Sequence, residues 1–155
     1  MDQKRRDVLK AGGVLALGAV AGLLGSGPAL AQEWNKAAFD TKSLNDAVKA
    51  MGGSGAVESK DIRFVNPTPE IAENGAVVPI TVSSNIPRTQ SIAILVEKNP
   101  NVLSANFTIP AGTEPFVSTR VKMGETSKVF AVVKADGKYF YAAKEIKVTL
   151  GGCGG

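Results

Sequence analysis

Residues 128–150, KVFAVVKADGKYFYAAKEIKVTL, decide the fold. Asp136-Gly137 stands between two apolar runs, and an Asp-Gly pair in that position predicts a tight turn between antiparallel strands. After the turn, apolar residues alternate with polar ones from Glu145 to Leu150, which is the period of a strand with one buried face. The segment therefore predicts a β-hairpin whose second strand runs to Leu150.

Upstream of this hairpin the chain repeats the strand pattern in short segments separated by turn residues. Five further strands are predicted, at 62–65, 78–82, 92–96, 102–109 and 116–121. Short strands at this spacing are typical of an all-β protein, an antiparallel β-sandwich of immunoglobulin-like type. Pro79 cannot donate to a ladder, which favours an edge or bulged position for its strand.

One short helix is predicted before the strands, over about 43–51. Leu44, Ala47, Val48 and Met51 recur at the spacing of one helical face. Ser43 with Asp46 three residues later is a capping pattern, and Gly52-Gly53 is a stop signal. We expect this helix to cover one end of the core.

Two of the predicted strands are apolar on both faces. A sheet in a sandwich of this size normally leaves one face to water. The second apolar face is therefore covered either by the predicted helix or by another subunit. On the second interpretation the candidate partner surface consists of Ala93, Leu95, Phe130 and Val132.

Residues 1–31 have the composition of a cleaved export signal. Arg5 and Arg6 stand in a basic start, residues 11–24 are apolar, and Ala29-Leu30-Ala31 is a small-residue cleavage site. The apolar run is shorter than the roughly 20 residues of a membrane-spanning helix, so we expect no membrane anchor. The arginine pair resembles a twin-arginine signal, with general secretion as the alternative route. The mature chain then divides into one domain, 32–150, and a tail, 151–155.

The chain lacks the residues that several classes of function need. The chain has no histidine and one cysteine, which leaves no metal site, no cofactor site and no base for a hydrolytic triad. Without the signal, 14 basic and 12 acidic residues remain, a net charge of +2 with no basic block. We therefore expect neither an enzyme nor a nucleic-acid-binding protein.

The remaining chemistry lies in the tail, GGCGG. A single thiol cannot form an intrachain disulfide, and in an exported protein it indicates a reactive group or an intermolecular bond. Gly151, Gly152, Gly154 and Gly155 have no Cβ, so we expect a narrow, flexible arm that extends about 16–18 Å. No neighbouring base activates the thiol of Cys153, so a partner must do so. Two alternatives follow: a swinging arm that carries a group, or a module that dimerises through a Cys153–Cys153 disulfide.

The tail and its preceding KVTL resemble the SoxY family, the carrier subunits of the Sox thiosulfate-oxidation system. The body is similar to that family in PEIAENGAVVPITV (69–82), KNPNVLSANF (98–107) and STRVKMGETSKVFAVVKADGKYF (118–140). The resemblance implies a periplasmic, non-catalytic sulfur carrier with an immunoglobulin-like fold. It also implies that Cys153 is the covalent attachment site for thiosulfate-derived sulfur.

The same resemblance implies a set of partners. A SoxZ-like β-sandwich subunit would form a complex with the chain. A c-type cytochrome would join thiosulfate oxidatively to the thiol, and a thiosulfohydrolase would release sulfate and leave a persulfide. Where it is present, a sulfane dehydrogenase would oxidise the sulfur that remains.

Overall fold

Two short helices and nine strands make up residues 35–152, the part of the chain that the computed structural model describes. The helices are α1 (Lys36–Phe39) and α2 (Leu44–Ala50). The strands are β1 (Ala56–Glu58), β2 (Ile62–Phe64), β3 (Ile71–Asn74), β4 (Val78–Ser84), β5 (Thr89–Val96), β6 (Leu103–Thr108), β7 (Phe116–Val121), β8 (Ser127–Ala135) and β9 (Lys138–Leu150).

The strands form two sheets that pack face to face. One sheet has the order β1-β9-β8-β5-β6, with β3 also paired to β9, and the other has the order β2-β4-β7. The predicted hairpin is present, with Ala135 opposite Lys138 across the turn. Asp136 and Gly137 both have positive φ, 49° and 73°, as a tight turn of the primed type requires. The prediction of an all-β sandwich with a short helix is confirmed.

The sandwich differs from the expected antiparallel pattern at both ends of β9. β1 pairs in parallel with residues 139–141, and β3 pairs in parallel with residues 147–150. Both strands are mostly exposed and only three or four residues long, so neither has an apolar alternation that would identify it in the sequence. Glu73 and Asn74 therefore belong to a strand, although the following Asn74-Gly75 pair is typical of a turn.

The six-stranded sheet is the middle of three layers, which explains why β5 and β8 are apolar on both faces. Alternate residues of these strands face the three-stranded sheet and form the main core with it; they are Ile92, Ile94, Val96, Val129, Ala131 and Val133. The intervening residues face α1 and α2 and form a second core. The helical layer therefore covers the face that a single sandwich would leave to water.

Side-chain hydrogen bonds fix the helical layer to itself and to β9. The Asn35 side chain accepts from Ala38 N at 3.1 Å and donates to Ala50 O at 3.0 Å, so it joins both helices. Ser43 accepts from Asp46 N at 3.1 Å, which is the cap that the sequence predicts. The buried Tyr139 donates from its hydroxyl to Met51 O at 2.5 Å. These contacts place α2 over the start of β9.

Pro79 lies in the central strand of the small sheet, not in an edge strand as the sequence favours. β2 pairs only with residues 82–84 of β4, so Pro79 is beyond its reach and opposes only Arg120 of β7. Thr81 N donates to Thr68 Oγ1 at 2.7 Å, on the side away from β7. Pro79 is two residues from Thr81, so its backbone nitrogen faces the same side of the strand, away from β7. No strand pairs with Pro79 on that side, and its missing N–H therefore costs no ladder bond.

Candidate functional site

The last residues of β9 extend beyond β8 and are held by β3. The β8 ladder on β9 ends at Ser127 opposite Ile146, and residues 147–150 pair with β3. Leu150 O accepts from Gly75 N at 2.7 Å. The arm (151–155) therefore departs from a strand that is paired up to its last residue.

Two threonines complete the hydrogen bonding of this strand end. Thr126 Oγ1 accepts from Val148 N at 2.9 Å, which replaces the partner that β8 no longer supplies. Thr149 Oγ1 donates to Glu73 O at 3.0 Å and adds a bond to β3. Buried backbone donors without a partner are costly, and Thr126 removes that cost where the ladder stops.

The first two residues of the arm lie against the body of the protein. Gly151 and Gly152 are half-buried, and Gly152 N donates to Met123 O at 3.0 Å. Met123 N in turn donates to Gly75 O at 2.7 Å. The last strand ends at Leu150, and the packed structure continues through Gly151 and Gly152.

The contact between the arm and the body of the protein requires glycine in both segments. A β-carbon at Gly152 would lie 2.6 Å from Gly75 C and O and 2.7 Å from Ala76 N. One at Gly75 would lie under 3.0 Å from Met123 O and Gly152 N, and one at Gly151 would meet Gly124 O equally closely. These neighbouring atoms belong to the backbone and cannot rotate aside. Close backbone approach, in addition to flexibility, therefore accounts for these two glycines of the arm.

The free energy that holds the arm root (Gly151 and Gly152) in place is small. Ordering a residue costs about 1–2 kcal/mol, while a backbone hydrogen bond contributes about 0.5–1.5 kcal/mol net. The free energy gained from one hydrogen bond and from the packing of two glycines is therefore close to the free energy lost in ordering them. The two terms nearly cancel, so this contact adds little to the free energy of folding.

Asn99 and Met123 build the surface on which the arm root rests. Asn99 Nδ2 donates to Lys122 O at 2.7 Å, and its Oδ1 accepts from Gly124 N at 3.4 Å. Met123, which lies between these two residues, is fully buried in the main core. The Met123 carbonyl, which accepts from Gly152 N, is therefore held in place by the buried Met123 side chain and by the hydrogen bonds of Asn99 in the turn after β5.

Charged residues of both signs adjoin Asn99 and Gly124 in the segments that border the arm root. Lys98 and Glu125 form an exposed ion pair at 3.6 Å, which contributes little stability. Within residues 35–152 no three His, Cys, Asp or Glu side chains are grouped to hold a metal ion. The described contacts therefore serve to hold Gly151 and Gly152 in place.

The predicted partner surface is wrong for the isolated chain. Ala93, Leu95 and Val132 are at most 1% exposed and belong to the second core under the helices. Phe130 is half-buried at the edge of that core, with its ring 6.0 Å from that of Tyr141. The chain's own helices cover this face, which is the other interpretation that the two-sided strands allow.

The other predicted site residues lie outside the described part of the chain. They are Cys153, Gly154 and Gly155 in the arm, and Arg5 and Arg6 in the export signal. The predicted attachment site therefore begins one residue after the last described position.

An open cleft of about 600 Å³ lies at the opposite end of β9. It is bordered by the turns after β4, β6 and β8, and Arg88 pairs with Asp136 across it. The 13 residues of β9 separate this cleft from the arm by about 40 Å at the usual rise per residue. The cleft is thus remote from the arm and takes no part in positioning it.

Four residues at the arm root escape sequence reasoning: Gly75, Asn99, Met123 and Thr126. No spacing in the sequence connects Gly75 or Asn99 to the end of the chain. The pairing of β3 with residues 147–150 brings Gly75 there, and hydrogen bonds to Lys122 and Gly124 bring Asn99 there. Within residues 35–152 no helix is long and apolar enough to span a membrane.

Comparison with known proteins gives a family match and similar solved structures. The model of the family described as "Sulfur oxidation protein SoxY" matches residues 48–153. The structure of the sulfur carrier protein SoxY from Chlorobium limicola f thiosulfatophilum is 39% identical, with a TM-score of 0.63. The match covers 75% of this chain and 100% of that chain. The family match ends on the single cysteine.

Two further comparisons add nothing on function. A chain in a structure of T cell activation by the bacterial superantigen toxic shock syndrome toxin-1 is 13% identical, with a TM-score of 0.42. That match covers 61% of this chain and 99% of that chain. No curated protein sequence matches the chain.

Proposed function

The chain belongs to the SoxY family, and from this premise we propose that it carries sulfur on Cys153 during thiosulfate oxidation. The observation that carries the proposal is the family match over residues 48–153, which ends on the only cysteine in the chain. The coarse role, a sulfur carrier of the Sox system, follows from the family and its solved member. Covalent attachment at Cys153 is the finer proposal.

The first step forms a disulfide-type bond between the carrier and thiosulfate. The thiol of Cys153 loses its proton, its sulfur bonds to the outer sulfur of thiosulfate, and two electrons leave. A c-type cytochrome partner accepts those electrons. The product is a cysteine S-thiosulfonate on the arm, and the proton passes to solvent.

The second step is a hydrolysis and needs no oxidant. A water molecule supplies oxygen to the terminal sulfone, the S–S bond to it breaks, and sulfate leaves. The remaining sulfur stays on Cys153 as a persulfide. A thiosulfohydrolase partner catalyses this step, and a sulfane dehydrogenase, where present, oxidises the remaining sulfur.

The geometry of the arm root supports this division of labour. The strand before it is paired up to Leu150, and neither a metal-binding group nor a histidine lies within residues 35–152. A thiol on such a support can enter the active site of another protein, which then supplies the chemistry. The carrier is therefore proposed to be non-catalytic and to need no cofactor of its own.

Export and complex formation complete the proposal. Family membership implies a SoxYZ complex, with a SoxZ-like β-sandwich subunit as the partner. The basic start with Arg5 and Arg6 and the cleavage site after Ala31 support delivery to the periplasm. The partner surface lies elsewhere than on Ala93, Leu95 and Val132, because the helices cover these residues.

Intact-protein mass spectrometry tests the attachment site. The mature protein is incubated with thiosulfate and the cytochrome partner, and the expected product carries one thiosulfate-derived adduct. Cys153→Ala should remain unmodified. If wild-type protein also remains unmodified while the cytochrome is active on another carrier, the proposed function is wrong.

The same measurement separates the carrier from the dimerising module. A dimer that dissociates under reducing agent, without any sulfur adduct after thiosulfate treatment, would favour a Cys153–Cys153 interaction module. An adduct that reducing agent removes would support the carrier. Cleavage after Ala31 is checked by the mass of the exported protein.

A further inference from the structure

We infer that Gly75 is a positioning residue that docks the root of the arm, so that the arm alternates between a short docked form and a long released form. This inference rests on the proposed function of Cys153, because it concerns the reach of that thiol. It concerns a different residue, which lies 78 positions earlier in the chain than the cysteine.

The docking contact is a chain of backbone hydrogen bonds through three segments. Gly75 N donates to Leu150 O at 2.7 Å, and Gly75 O accepts from Met123 N at 2.7 Å. Met123 O then accepts from Gly152 N at 3.0 Å. Gly75 is thus bonded to the end of β9 and to the residue that holds the arm.

Van der Waals contact adds to these bonds and depends on the missing side chain. Gly75 is buried, and Gly152 lies against its carbonyl group. A methyl group at Gly75 would come under 3.0 Å from both Met123 O and Gly152 N. A methyl group there would therefore push the arm root from its place without any change in the sequence of the arm.

The consequence is a change in reach. With the arm root docked, three residues extend beyond the contact, whereas release frees all five residues of the arm. Each residue spans at most about 3.3–3.6 Å, so release lengthens the reach of the thiol by about 7 Å. The docked form keeps Gly152 against the turns at 74–76 and 122–124, and the released form can enter a deeper active site.

Amide hydrogen exchange of the ¹⁵N-labelled mature protein tests the inference directly. In wild type we expect the Gly152 amide to exchange at least about tenfold more slowly than the Gly154 amide, after correction for intrinsic rates. Gly75→Ala should remove this protection and leave the protection of β5 and β8 unchanged. Gly55→Ala is the matched control, because a β-carbon there meets nothing within 4 Å, and it should retain the protection of Gly152.

Two results would overturn the inference. One is a Gly152 amide in wild type that exchanges as fast as that of Gly154. The other is a Gly75→Ala protein that keeps the protection. If Gly75→Ala does not fold, Gly152→Ala serves instead, since its β-carbon would lie 2.6 Å from the Gly75 carbonyl; protection retained at the amide of residue 152 in that variant would also contradict docking.

The exchange measurement does not depend on sulfur chemistry. A protein that protects Gly152 but forms no thiosulfate adduct would contradict the proposed function and leave the docking intact. A protein that forms the adduct with an unprotected Gly152 would support the carrier and contradict the docking.

Discussion

The hydroxyl of Tyr139 donates a 2.5 Å hydrogen bond to the carbonyl of Met51, the residue that ends α2. Tyr139 is 4% exposed and stands at the start of β9. Gly53 packs against the same ring, with room for no β-carbon between them. One side chain thus fastens the helical layer to the strand that ends in the arm.

Tyr139→Phe should destabilise the protein by about 1–3 kcal/mol, because the Met51 carbonyl loses its donor in a place where water has little access. Denaturant unfolding measures this change. Tyr141→Phe is the matched control, since the Tyr141 hydroxyl makes no hydrogen bond to any residue in 35–152, and it should change stability by less than about 0.5 kcal/mol. Equal effects of the two substitutions would contradict the assignment.

Leu95→Ala should lower the free energy of unfolding of the isolated mature chain by about 2–5 kcal/mol, because it opens a cavity under the helices. Leu95 is fully buried. Val57→Ala is the control: Val57 is 66% exposed on β1, and its truncation should have little effect. Normal stability of Leu95→Ala together with weakened binding to the partner subunit would instead restore the interpretation of this face as an interface.

Thr126→Val should destabilise the protein by about 1–3 kcal/mol, because Val148 N then has no acceptor at the place where the β8 ladder stops. Valine keeps the shape of the side chain, so the loss reports the hydrogen bond. Thr149→Val removes a comparable bond to Glu73 O at an exposed position, and we expect less than about 0.5 kcal/mol there. Thermal and denaturant unfolding compare the pair.

Gly137→Ala should cost about 1 kcal/mol or more, since residue 137 has a φ of 73°, a conformation in which a side chain is strained. Gly55→Ala, at a glycine without positive φ or close neighbours, should be neutral or stabilising by up to about 1 kcal/mol. Equilibrium unfolding distinguishes the two. A neutral Gly137→Ala would show that the hairpin turn relaxes without cost.

The sequence predicts the hairpin, the sandwich and the capped helix because each has a local signature. Asp136-Gly137 specifies its own turn, and Ser43 with Asp46 specifies the start of its own helix. β1 and β3 escape prediction because they are short and mostly exposed, and because their partner lies more than 70 residues away. Such pairing depends on the packed sandwich and has no local pattern.

The candidate site likewise has one part that the sequence predicts and another that only the fold reveals. The thiol and its glycines are evident from composition, since Cys153 is the only cysteine and stands among four glycines. The docking of Gly152 depends on Gly75 and Met123, which only the fold brings beside the arm. Leu95 shows the converse: its apolar strand predicts a covered face, but periodicity cannot tell the chain's own helix from another subunit.

The parallel pairing of β3 with the end of β9 has a consequence for protein engineering. If residues 146–155 were transplanted to the last strand of another β-sandwich, the thiol would be transferred, but the residues that hold the arm root would not. The recipient would also need the turn that holds Gly75 and the segment that presents the Met123 carbonyl. The tail is therefore one part of a three-segment device that cannot be exchanged alone.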